Sequence, residues 1–173
     1  MKIILAALIT IISLVTNTAH ACECSHITKK QVRAAQQKWA AGIVAIGKAA
    51  DQKAVAEKHL DTLYAYDLGE VLFKPTKAAQ KQFRATKNDA LSYFVTGHIK
   101  EDKGFALAPF TKVKFKNEQI IIDCDSALAM GNYYFTSNTG EIIKVEYSFG
   151  YIKNNAGKLK INLHHSSLPY QGK

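Results

Sequence analysis

The chain reads as an α+β protein, with N-terminal helices packed on a strongly curved, mainly antiparallel sheet that forms a cone with an internal pocket. Three observations predict this. Apolar residues recur at helical spacing through the first half of the chain. After Gly104 they alternate with polar residues in short segments separated by turns. Helices first and strands afterwards favour an α+β layer arrangement over a doubly wound sheet.

The N terminus has the form of a cleavable leader. Lys2 supplies a positive charge, residues 3–15 are apolar except for Thr10 and Ser13, and Ala19-His20-Ala21 places small residues at −3 and −1. Cleavage before Cys22 divides the chain into a signal peptide, residues 1–21, and a single domain, residues 22–173. An uncleaved anchor is the alternative, but the apolar run falls short of the roughly 20 residues of a membrane span. A lipoprotein is a second alternative, and Ala19 stands where such signals carry Leu. The expected location is periplasmic or secreted, with no membrane insertion after cleavage. The net charge of +9 comes from scattered lysines with no long basic run. That pattern suits a solvated surface better than nucleic-acid binding.

Export places Cys22, Cys24 and Cys124 in an oxidising compartment. Cys22 and Cys24 are too close to pair easily with each other, so one of them, with Cys24 preferred, is expected to pair with Cys124. Closing a loop of about 100 residues is worth about 4 kcal/mol in the chain-entropy model. A lone C-x-C with one distant cysteine is not a structural zinc pattern.

Thr28 to Gln31 has the T-x-x-Q form of a capping box, and Val32, Ala35, Gln36, Trp39, Ile43 and Ile46 form the apolar stripe behind it. Asp51 is suited to cap a second helix running to about Leu60. A short strand over 68–73 ends at Pro75. Thr86 caps a third helix over 87–99. Segments 110–115, 118–123, 126–136, 141–153 and 157–167 read as strands. In the fourth, Val145, Tyr147, Phe149 and Tyr151 form one face. In the last, strict alternation puts Leu159, Ile161, Leu163, His165 and Ser167 on the face toward the helices, and His164 and Ser166 on the other.

The terminal His164-His165-Ser166-Ser167 is the most unusual stretch. Adjacent strand residues point to opposite faces, so the two histidines do not share one ion, and no H-E-x-x-H or comparable ligand cluster exists. Alternation therefore makes His165 and Ser167 the pocket candidates. Thr76, after Pro75, and Tyr93, on the third helix, bring hydroxyls toward the same interior. Tyr133, Tyr147 and Tyr151, with Ser166, are the candidate substrate-binding groups. No G-x-S-x-G is present, which argues against a serine nucleophile.

Several motifs together resemble the iota-class carbonic anhydrases. They are Lys74-Pro75-Thr76, Phe83-Arg84-Ala85-Thr86 leading to Ala90-Leu91-Ser92-Tyr93-Phe94, and Glu101-Asp102-Lys103-Gly104-Phe105. Ala129-Met130-Gly131-Asn132-Tyr133-Tyr134-Phe135, Val145-Glu146-Tyr147-Ser148-Phe149-Gly150-Tyr151 and the terminal His-His-Ser-Ser complete the set. The similarity runs from Cys24 to Tyr170. His-His-Ser-Ser alone is shared by a wider set of cone-fold domains, including the association domain of calmodulin-dependent kinase. Ser148 stands where many relatives carry Thr. The resemblance implies a homodimer and reversible hydration of carbon dioxide to bicarbonate. It implies no cofactor, with zinc or manganese as the alternative. The implied catalytic pocket holds Thr76, Tyr93 and Ser167, with His165 beside them to orient or relay a proton. A non-enzymatic ligand-binding or dimeric association module of the same fold is the competing expectation.

Overall fold

The computed structural model of the chain describes residues 26–172. Helix α1, Lys29–Lys48, and helix α2, Gln52–Leu63, open the domain. Strand β1, Leu72–Lys74, and helix α3, Lys87–Val95, follow. A 3-10 turn at Phe105–Leu107 leads into β2, Phe110–Ile122, β3, Ser126–Ser137, β4, Ile142–Lys153, and β5, Leu159–Ser167. The expected leader, Cys22 and Cys24 lie outside the described residues, within which no helix is long and apolar enough to cross a membrane.

The helices begin at the expected caps. Thr28 Oγ1 accepts from the Gln31 N–H at 3.2 Å, and the Gln31 side chain accepts from the Thr28 N–H at 2.9 Å. Asp51 and Thr86 accept from Ala54 and Asp89 in the same way. Helix α3 stops at Val95, earlier than expected. Thr96 adopts φ 71°, and Ser92 Oγ accepts from the Ile99 N–H at 3.2 Å, which turns the chain out of the helix.

The sheet order is β1-β5-β4-β3-β2. β1 runs parallel to β5, and the other neighbours are antiparallel. The two segments expected at 110–115 and 118–123 are one strand. Asn117 pairs with Gly131 and Gln119 with Met130, so Glu118 is an extra, unpaired residue. Gly131 is required opposite this bulge, because a Cβ there would meet the Lys116 carbonyl at 2.2 Å. Such bulges increase twist and bend the sheet around the helices.

The concave face and the helices enclose an aromatic core. Trp39 of α1 packs edge-on against Phe115, Phe135 and Phe149, with His164 at 5.5 Å between ring centroids. The expected β4 face is observed: Val145, Tyr147, Phe149 and Tyr151 are all buried. This core fixes where the hydroxyl-bearing side chains of β3, β4 and β5 project.

Candidate functional site

β5 is where the structure departs most from strict alternation. Gly150 pairs with Leu163, but its neighbour Tyr151 pairs with Ile161, leaving Asn162 as an unpaired bulge residue. One extra residue inverts every side chain beyond it. His164 and Ser166 are therefore buried, at 3 % and 4 % exposure. His165 is exposed, and Ser167 is half-buried, donating to Glu146 Oε2 at 3.0 Å on the other face. The expectation that His165 and Ser167 face the pocket is corrected by this register: the inward pair is His164 and Ser166. The signal was in the sequence. Gly150 interrupts an otherwise bulky strand, and a Cβ there would lie 2.8 Å from Asn162 Oδ1 and 2.9 Å from Leu163 Cβ.

Ser166 meets Thr76 because β1 runs alongside β5, with Lys74 opposite His165. Thr76 Oγ1 donates to Ser166 Oγ at 2.8 Å. Thr76 is held by the loop that follows it. Glu101 accepts the N–H groups of Ala79, Gln80 and Lys81 at 2.9–3.0 Å, and the Gln80 bond leads in lowering its carboxyl below the usual range. Tyr93 reaches the same region from α3. Its hydroxyl oxygen accepts a long bond, 3.4 Å, from the Lys77 N–H, which leaves its own proton free to be donated. The Tyr93 ring stacks on Phe105 at 5.5 Å and meets Phe73 edge-on at 5.9 Å. A cavity of about 330 Å³ opens against Tyr93, walled by Lys77, Asp102 and Phe105.

Tyr133 joins this cluster. Burial drives its hydroxyl well above the usual phenol range, and the nearby hydroxyls of Ser166 and Thr76 oppose the rise. Its oxygen also lies 3.4 Å from His164 Nε2. The Tyr147 hydroxyl turns elsewhere, donating to Asn117 Oδ1 at 2.8 Å and lying 3.3 Å from Gln36 Nε2. Gln36 and Asn117 line a larger cavity of about 750 Å³ between α1 and β2. The Tyr151 hydroxyl is buried without a hydrogen-bond partner. Of the candidate substrate-binding tyrosines, Tyr133 is the one whose hydroxyl is influenced by Thr76 and Ser166.

Beneath Tyr93 lies a buried ion pair that sequence reasoning did not single out. Arg84 Nη2 bonds Asp102 Oδ1 at 2.6 Å, with both side chains at 0 % exposure. Arg84 also donates to the Lys81 carbonyl, lies 3.7 Å from Glu101 Oε1 and sits 5.7 Å from the Tyr93 ring centroid. The pair ties the Thr76 loop to the segment after α3. Its residues fall within the motifs that carried the resemblance, but nothing in their spacing marks them as partners.

Two imidazoles are held neutral by burial. The His59 value falls to about 4, and His164, with the charges of His165 and His59 adding to burial, falls well below the usual imidazole value. Both bind a proton more readily in the unfolded chain, whose value is 6.5. Their stabilising contribution is therefore complete above about pH 6.5 and is lost as pH falls toward the folded values. Denaturant unfolding between pH 6 and pH 5 is expected to show stability falling by about 1.4 kcal/mol per pH unit for each histidine. A flat profile there is the contrary result.

Among the described residues, no group of three or more His, Cys, Asp or Glu is placed to hold a metal ion. The fold and the hydroxyl cluster define a cone-shaped α+β domain in which alcohol and phenol groups gather over an aromatic core, beside a cavity walled by Tyr93 and Phe105. Residues 30–168 match the family of metal-independent carbonic anhydrases, and the chain belongs to that family. It is 44% identical over 154 residues to the metal-independent carbonic anhydrase of Nostoc sp. (strain PCC 7120 / SAG 25.82 / UTEX 2576), covering 84% of this chain and 75% of that protein. It superposes at a TM-score of 0.83, with 42% identity, on a cyanobacterial iota-carbonic anhydrase crystallised with bicarbonate, covering 86% of this chain and 96% of that one. A putative calcium/calmodulin-dependent protein kinase II association domain from Xanthomonas campestris matches at a TM-score of 0.57 and 27% identity, over 83% of this chain and 89% of that one.

Proposed function

We propose that the chain catalyses the reversible hydration of carbon dioxide to bicarbonate without a metal, at the pocket formed by Thr76, Tyr93 and Ser166, with Tyr133 and His164 behind them. The observation that carries this reading is the 2.8 Å Thr76–Ser166 bond in a chain that belongs to the metal-independent family. The rings of Phe73 and Phe105 offer an apolar wall to carbon dioxide. The hydroxyl protons supply donors for the oxygens that become anionic when water adds to the carbon. As the new C–O bond forms, a carbonyl electron pair moves onto an oxygen held by those donors, and the water proton leaves to buffer. Preorganised donors of this kind lower the barrier because they need no reorientation when charge develops. His164 is held neutral by burial and serves as a scaffold, not as a base. His165 lies on the outer face, away from these groups.

The finer expectations belong to the same proposal. Residues 1–21 act as an export signal to the periplasm or beyond, on the support of Lys2, the apolar run and Ala19-His20-Ala21. The Cys24–Cys124 disulfide is supported by that compartment and by the position of Cys124 in the turn between β2 and β3. A homodimer is supported by large apolar side chains left exposed on the outer sheet face, Leu128 and Met130 among them.

The test is stopped-flow carbon dioxide hydration with exhaustively chelated, metal-analysed protein. Activity equal to that of untreated protein is expected. Activity that disappears with chelation and returns with zinc or manganese would overturn the metal-free reading.

A further inference from the structure

A buried chain of hydrogen bonds runs from α1 to the pocket, and its direction follows from what each group is able to donate. The Trp39 indole N–H has a proton and no acceptor capacity, and it points at Tyr64 Oη, 2.9 Å away. Tyr64 Oη lies 2.7 Å from His164 Nδ1. Trp39 and Tyr64 are both 1 % exposed, so water does not complete this arrangement. The hydroxyl of Tyr64 has one proton. If Nδ1 also carried a proton, the Tyr64 oxygen would receive two bonds while its own proton faced apolar packing, against Phe73 and Phe94. An unmatched buried donor is costly. Tyr64 therefore donates to Nδ1, which must be the unprotonated nitrogen.

The rest of the chain follows. A neutral imidazole with Nδ1 accepting carries its proton on Nε2. Nε2 faces Tyr133 Oη at 3.4 Å. Tyr133 then accepts from His164, and its own proton is free to turn toward Ser166 and Thr76, whose hydroxyls oppose the upward shift of the phenol.

We propose that Trp39 and Tyr64 are positioning residues that fix the His164 tautomer and so orient the Tyr133 hydroxyl as a donor toward the Thr76–Ser166 end of the pocket. Neither residue touches substrate. Their effect is to commit the pocket to O–H donors facing inward, the polarity that an anionic bicarbonate oxygen requires. Stacking of His164 on Phe73, at 4.5 Å between centroids and 14° between planes, holds the ring against the flip that would exchange its nitrogens. The functional consequence rests on the carbonic anhydrase reading above, but the tautomer does not.

The experiment uses the full mature chain labelled with ¹⁵N-histidine. Long-range ¹H–¹⁵N spectra report which ring nitrogen of each histidine is protonated, with His164 assigned by the peak lost in His164→Gln. Wild-type protein is expected to hold His164 as the Nε2–H tautomer. Tyr64→Phe is expected to shift it toward Nδ1–H or a mixture, and to lower kcat by about tenfold, the worth of one hydrogen bond, with KM little changed. Trp39→Phe, which keeps a ring in the core, is expected to give a smaller change in the same direction. An Nδ1–H tautomer in the wild type overturns the proposal without any variant needing to fold. So does a folded Tyr64→Phe protein with an unaltered tautomer and kcat. An Nε2–H tautomer that shifts in Tyr64→Phe, in a protein with no hydratase activity, would uphold the bond direction and remove the catalytic reading instead.

Discussion

Ser166→Ala is expected to lower kcat/KM for carbon dioxide hydration by about 10²–10³-fold, the usual loss when one oxyanion donor is removed. Ser167→Ala is expected to leave the rate at the wild-type level. The contrast rests on one register shift. Ser166 is buried and accepts from Thr76 at 2.8 Å, whereas Ser167 donates to Glu146 on the other face. Both substitutions remove one hydroxyl from neighbouring positions of the same strand, so each controls for the other's effect on β propensity. Stopped-flow rates on the two proteins, with matched thermal melts, decide the matter. The reverse order of rates would place Ser167 in the pocket and require β5 to pair without the Asn162 bulge.

Asp102→Ala is expected to destabilise the domain by about 3–5 kcal/mol, because it leaves the Arg84 guanidinium buried with no carboxylate as close. Arg84 is 0 % exposed and its Nε already has no hydrogen-bond partner. For a domain of this size the loss corresponds to a fall in Tm of about 10 °C. Glu57→Ala, which breaks the exposed 4.0 Å pair with Lys53 on α2, is the comparison and is expected to cost less than about 0.5 kcal/mol. Calorimetry of both proteins checks this. An Asp102→Ala protein as stable as wild type would mean that Arg84 reaches water or another carboxylate, with Glu101 the nearest at 3.7 Å.

The fold was legible where a single local rule decides the outcome. Thr28, Asp51 and Thr86 carry cap chemistry in their side chains, and each opens a helix. The β4 face was legible because its alternation is unbroken from Val145 to Phe149. The parts that were not legible depend on two strands at once. A bulge is a property of a pair, and nothing in β5 itself distinguishes Asn162 as the extra residue. Its trace lies on the neighbour: Gly150 faces the Asn162 bulge and Gly131 faces the one at Glu118. A glycine within an otherwise bulky strand was the available warning. Thr76 and Tyr93 could be placed near one another because a proline and a helical stripe position them. Tyr64 was missed for a different reason. It sits at the C-cap of α2, contributes to no motif, and matters only through Trp39 and His164, which lie 25 and 100 residues away.

The bulge in β5 also gives the repeated letters of His-His-Ser-Ser a meaning beyond emphasis. Moved along by one residue, the segment maps a histidine onto a histidine and a serine onto a serine. If the upper half of β5 paired without the Asn162 bulge, Leu163 would stand opposite Phe149, where His164 now stands, and His165 opposite Tyr147, where Ser166 now stands. The inner face would still carry one histidine and one serine, but each two positions further along β4, so the pairing and not the composition keeps a serine hydroxyl beside Thr76.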